Sequence, residues 1–184
     1  MELDFQKVMK AGRDECYTTR AEADKLVETL LKHKVVNTSL TIWLPFDTDY
    51  SRVYQAFKAA GFKNLIRSSL SDGKDFYFFE PKQYDVIVSN PPFSGRTKLF
   101  KRLFSLKKPF VMLQATQTFN NQTLVKYMCE EEVTLLMPRT RMNFMTHSST
   151  ENVVKTSGGG GCLLFILVYL GFIQKLSRIY FNGR

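Results

Sequence analysis

The sequence predicts an α/β fold, with a mostly parallel central sheet held in a three-layer sandwich and finished by a C-terminal β-hairpin. Three observations carry that expectation. Short apolar runs alternate along the chain with segments whose apolar residues recur at helical spacing, the pattern of strands joined by right-handed crossovers. The runs are rich in β-branched and aromatic residues, as buried strands are. One of them, Val86-Ile87-Val88, stops at Ser89-Asn90-Pro91-Pro92, and in an open α/β sheet the carboxyl ends of strands are where ligands bind.

The elements follow in order. Thr19-Arg20-Ala21-Glu22 fits a capping box, and Ala23, Leu26, Val27, Leu30 and Leu31 lie on one face of a first helix. Leu40 to Leu44 reads as a strand stopped by Pro45, whose end opens into the loop Phe46-Asp47-Thr48-Asp49. Val53, Ala56, Phe57 and Ala60 mark a second helix, with Gly61 where a left-handed cap belongs. Asn64 to Arg67 returns as a brief strand, and Phe76-Tyr77-Phe78-Phe79 follows a turn at Asp72-Gly73. After the 86–88 strand come a basic helix over Thr97–Leu106, a strand at Phe110–Leu113, a helix at Thr123–Cys129 and a strand at Val133–Met137. The glycine run at 158–161 reads as a hairpin connection, since no phosphate-loop pattern accompanies it, and leads into a strand from Cys162 and a last one at Arg178–Phe181.

A chain of 184 residues with 44% hydrophobic residues and 16 Phe can bury one substantial core, so residues 1–184 are expected to form a single domain. Lys and Arg exceed Asp and Glu by 26 to 17, and the resulting +9 charge favours a polyanion such as DNA or RNA as partner. Cys16, Cys129 and Cys162 are scattered and form no C-x-x-C pair, which points away from a disulfide framework or a metal site and towards a reducing, cytoplasmic setting. Met1–Lys10 lacks the apolar core of a secretory signal. The longest apolar run, Cys162–Ile173, falls short of the ~20 residues of a bilayer span, so no membrane role is expected.

Chemistry concentrates at the double proline. Two successive prolines give up two backbone donors and stiffen the turn, for which a fold has little structural need. Such a turn can present the Asn90 side-chain oxygen and the Pro91 carbonyl to the two hydrogens of a flat amine, with Pro92 holding the shape and Phe93 offering a ring for stacking. Accepting both hydrogens returns electron density to an exocyclic amine nitrogen that is otherwise a weak nucleophile. Catalysis of this kind works by orientation and preorganised dipoles, and needs no ionised base. Arg96, Lys98, Lys101 and Arg102 gather beyond the turn, and Arg139 and Arg141 after a later strand, where they could neutralise phosphates or form a solvated face.

Tyr84-Asp85-Val86-Ile87-Val88-Ser89-Asn90-Pro91-Pro92-Phe93 resembles motif IV of the amino-methyltransferases, which use S-adenosylmethionine to methylate adenine N6 or cytosine N4. Asp14-Glu15-Cys16-Tyr17-Thr18, Ile42-Trp43-Leu44-Pro45-Phe46-Asp47, Gly73-Lys74-Asp75-Phe76 and Lys108-Pro109-Phe110 are similar to segments of phage-encoded adenine-N6 methyltransferase-like proteins, so that the resemblance spans roughly residues 14–145. It implies a Rossmann-like methyltransferase fold, a cofactor held by Tyr17, Thr18, Pro45, Phe46, Asp47 and Asp75, and a target base flipped from its stack onto Phe93. The segment Arg139–Phe144 resembles the arginine-bearing segment of the family.

Two departures stand out. The family's F-x-G-x-G loop is replaced by the glycine-free Asp47-Thr48-Asp49-Tyr50-Ser51, and Arg67-Ser68-Ser69 stands where an acid for ribose hydroxyls is usual, leaving Asp72 to substitute. Asp47 and Asp75 also suit ordinary turn carboxylates. Two functions are therefore carried forward: an adenine-N6 DNA methyltransferase, and a catalytically silent descendant that binds nucleic acid or a host defence nuclease as an anti-restriction or anti-CRISPR factor. His33 and His147 are isolated and take no role, and Met142 and Met145 read as packing.

Overall fold

The computed structural model describes residues 17–92, 94–131, 133–137, 142, 144–145 and 164–169. Its six-stranded sheet has β2 (Ile42–Pro45), β3 (Leu65–Ser68), β4 (Val86–Ser89), β5 (Phe110–Ala115), β6 (Thr134–Leu136) and β8 (Leu164–Tyr169) in the order β3-β2-β4-β5-β8-β6. β3, β2, β4 and β5 pair in parallel, while β8 pairs antiparallel with both β5 and β6, so β8 alone of the six runs against the rest. A separate two-residue ribbon joins β1 (Tyr17–Thr18) to β7 (Phe144–Met145). The expected final strand at Arg178–Phe181 and the glycine run lie outside the described residues, as do Cys16, Cys162 and His147.

Side-chain alternation along the strands builds the three layers. Ile42, Leu44, Val86, Val88, Val111 and Leu113 point to one side, where they meet helices α1 (Arg20–Lys32) and α2 (Arg52–Ala59). Trp43, Ile87, Phe110 and Met112 point to the other, against α3 (Arg96–Ser105) and α4 (Gln122–Glu130). With apolar partners on both faces, period-two alternation leaves no polar side, and the strands read in sequence as continuous apolar runs. Met142 is buried in the first of these clusters, as the sequence suggests.

Local signals set the helix ends. The Thr19 side chain caps α1 by accepting from the Glu22 backbone N–H at 3.3 Å. α2 ends in a Schellman motif: the Phe62 N–H donates to the Phe57 carbonyl and the Gly61 N–H to that of Lys58, while the Phe57 and Phe62 rings meet edge-on with centroids 5.0 Å apart. Gly61 sits at φ +87°, a conformation that penalises any Cβ. Gly61→Ala should therefore cost about 1 kcal/mol, read as a lowered urea midpoint with an unchanged m-value.

Candidate functional site

The strand order reverses between β2 and β4. From β2 the chain crosses to β3 on one side, then returns to β4 on the other, which makes the loops at their carboxyl ends a topological switch point, the place where open α/β sheets bind ligands. A buried hydrogen bond ties those two ends together, the Ser89 hydroxyl donating to the Pro45 carbonyl oxygen at 2.8 Å. Asn90 Nδ2 donates to Thr18 Oγ1 at 3.1 Å, which brings the β1–β7 ribbon to the double-proline turn and fixes the plane of the Asn90 amide. Pro45 and Pro91 are buried, and Asn90 and Pro92 half-buried. Tyr17-Thr18, Pro45-Phe46-Asp47 and Asn90-Pro91-Pro92 thus converge from segments far apart in the chain. Phe93, Arg139 and Arg141 lie outside the described residues.

The glycine-free loop after β2 makes its bend by other means. Phe46 takes the left-handed conformation itself, at φ +69°, and its ring packs on Phe76 with centroids 5.1 Å apart. Ser51 Oγ accepts from the Thr48 N–H at 2.8 Å, the Ser51 N–H returns a bond to the Thr48 carbonyl, and Thr48 Oγ1 accepts from the Tyr50 N–H. Hydroxyl groups therefore supply the turn that glycine would otherwise make. Asp47 is buried, and burial pushes its carboxyl up to about 7, against the opposing pull of the Ser51 hydrogen bond.

Arg67, opposite Leu44 in the β2–β3 register, closes the loop from the side. Its Nε and Nη2 fork onto the Asp49 carboxylate, and its Nη1 reaches Asp72 at 2.7 Å. The Ser69 hydroxyl also donates to Asp72. Asp72, the acid that the sequence offers in place of a ribose-binding residue, is committed to this cluster. Neither the Arg67 clamp nor the Ser89 bridge is marked by periodicity or motif.

Asp75 Oδ1 accepts from the Tyr77 N–H at 2.9 Å, and the Asp75 carbonyl from the Phe78 and Phe79 N–H groups, so that Asp75 organises the turn 75–79. The cations beyond the double proline divide into groups. Lys98 and Lys101 are exposed on α3, Arg96 is half-buried at its start, and Arg102 pairs with Glu80 at 3.6 Å. Among the described residues no group of three or more His, Cys, Asp or Glu could hold a metal ion, and no helix is long and apolar enough to cross a membrane.

Strand order, the single reversed strand and helices on both faces make this a Rossmann-like α/β fold with a mostly parallel central sheet. No protein-family model and no curated protein matches the chain. Among solved structures it is similar to PH1948 of Pyrococcus horikoshii, assigned as an RNA methyltransferase, at 10% identity and a TM-score of 0.49, covering 84% of this chain and 86% of that one. It is also similar to a dimethyladenosine transferase of Plasmodium falciparum, at 13% identity and a TM-score of 0.47, covering 85% of this chain and 63% of that one. TrmN of Thermus thermophilus is similar at 15% identity and a TM-score of 0.40, over 80% of this chain and 48% of that one.

Proposed function

We propose that this chain is an S-adenosylmethionine-dependent, adenine-N6 methyltransferase-like protein that acts on DNA, of phage origin, in the cytoplasm of the host cell. The observation that carries the reading is the setting of Asn90: a rigid double-proline turn at the switch point of the sheet, with the Asn90 amide oriented by Thr18. Asn90 and the Pro91 carbonyl would accept from the adenine amine and Phe93 would stack on the base. The bound donor would supply an electrophilic methyl group on a sulfonium. Tyr17, Thr18, Pro45, Phe46, Asp47 and Asp75 would hold it, and the buried Asp47 carboxyl suits its cationic side. Phosphates flanking the base would meet Arg96, Lys98, Lys101, Arg102, Arg139 and Arg141.

The ribose side fits less well. The carboxylates beside β3, Asp49 and Asp72, are both paired with Arg67, and the loop has no glycine to bring backbone close to a ligand. That favours the second reading, a catalytically silent descendant that keeps the fold and binds nucleic acid or a host defence nuclease, as an anti-restriction or anti-CRISPR factor. Calorimetry with S-adenosylmethionine separates the two, since the enzyme requires measurable heat by millimolar donor, with or without DNA. If the donor binds, transfer of labelled methyl to DNA should fall about a hundredfold in Asn90→Ala, the scale for losing one preorganised polar contact. Transfer at the wild-type rate would remove Asn90 from the reaction, and blank calorimetry would leave the silent reading.

A further inference from the structure

The turn 75–79 carries a feature that methyl transfer does not use. Phe78 is 85% exposed, leaving nearly all its apolar surface in water, although its neighbours Phe76 and Phe79 pack on Trp43. The turn is held from inside by Asp75, which accepts the N–H groups of Tyr77, Phe78 and Phe79, and from below by those two anchored rings. Phe78 is therefore displayed on a rigid support. Lys98, on the first turn of the helix that follows Asn90-Pro91-Pro92, sets its ammonium 3.9 Å from the Tyr77 ring centroid and 5.9 Å from that of Phe78. Lys74 lies over Phe79 at 5.4 Å, and Lys101 is exposed one turn further along α3.

An exposed ring beside a half-buried one, flanked by lysines, fits a strand whose bases are free to stack and whose phosphates need neutralising. In a duplex the base faces are hidden against their neighbours, so only an unpaired base can lie on Phe78. We infer that the Tyr77-Phe78 turn and Lys98 form a stacking platform for unpaired nucleotides, and that the polyanion taken by this surface is single-stranded or locally opened nucleic acid. The platform rests on the nucleic-acid half of the function proposed above and not on methyl transfer.

Fluorescence anisotropy with a labelled oligothymidine of about a dozen nucleotides, and with the same strand in duplex, tests it without cofactor. The wild type should prefer the single strand. Phe78→Ala, which removes an exposed side chain and should leave thermal unfolding unchanged, should weaken single-strand binding roughly tenfold or more and leave duplex binding as it was. Lys98→Ala should lower the slope of log K against log salt by about 0.7, whereas Lys58→Ala, on the opposite layer, should leave the single-strand preference unchanged. Wild-type single-strand affinity in Phe78→Ala would overturn the platform while nucleic-acid binding stands. No binding of either form by the wild type would overturn nucleic-acid binding and the platform together. Dependence on Phe78 confined to free deoxyadenosine monophosphate would mark a mononucleotide site and overturn the claim to a strand.

Discussion

Trp43→Ala should cost the fold about 3–5 kcal/mol, the largest loss expected from any single truncation here. Trp43 is fully buried on β2, with its ring centroid 5.0 Å from Tyr84, 5.5 Å from Phe76 and 6.2 Å from Phe79. Removing the indole opens a cavity among three aromatic rings that are themselves tied to a strand and a capped turn, so collapse into the space is restricted. The substitution also takes the donor from a buried hydrogen bond, because Trp43 Nε1 donates to Ser68 Oγ at 2.9 Å and Ser68 is fully buried. Against a typical total of ~5–15 kcal/mol, this leaves a marginal protein. Trp43→Phe separates the two contributions: it keeps most of the ring and loses the N–H, for an expected cost of about 1–2 kcal/mol. Urea unfolding followed by far-UV circular dichroism reads both, and a cost below about 1 kcal/mol for the alanine variant would contradict the packing described.

The same residue shows what was legible in the sequence. The alternation of apolar runs and helical periodicities is enough for the layers and for the loops after Leu44 and Val88, because one buried strand or one capped helix is a local pattern. Thr19-x-x-Glu22 and Gly61 mark their helix ends for the same reason. The run Phe76–Phe79 carries no such mark. It has the composition of a strand but forms a turn, since the Asp75 carboxylate captures the Tyr77 N–H and three of its four rings, those of Phe76, Tyr77 and Phe79, pack into or against the core. The site divides in the same way. Asn90 announces itself by the prolines beside it, whereas the Ser89–Pro45 bond and the Arg67 fork on Asp49 join residues 44 and 18 positions apart, a separation at which no short-range pattern operates. The ion pair of Arg102 with Glu80, 22 positions away, is likewise unmarked by any local pattern.

Stability should fall as pH rises from about 4 to 7, and Asp47 is the cause. Its carboxyl is pushed up to about 7 from an ordinary 3.8, chiefly by burial. The folded protein therefore keeps a proton across that window which the unfolded chain has already lost. Because the unfolded state binds fewer protons there, the contribution is fully present below about pH 4 and lost as pH passes through the folded value, up to about 4 kcal/mol in all, with no further loss above it. Asp47→Asn cannot ionise, so its urea midpoint should lack this slope and the variant should be about 2–4 kcal/mol more stable than the wild type at pH 8. The comparison of the two proteins cancels the other titrating groups, and parallel profiles from pH 4 to 8 would refute the assignment. The same carboxyl links stability to the proposed donor. At pH 6 most Asp47 side chains hold a proton, and a sulfonium bound beside them favours the ionised form, so donor binding should release that proton. Calorimetry at pH 6 in buffers of different ionisation enthalpy would register the release as a buffer-dependent heat, absent in Asp47→Asn. If the wild type binds the donor with a heat independent of buffer, the cation does not sit against Asp47.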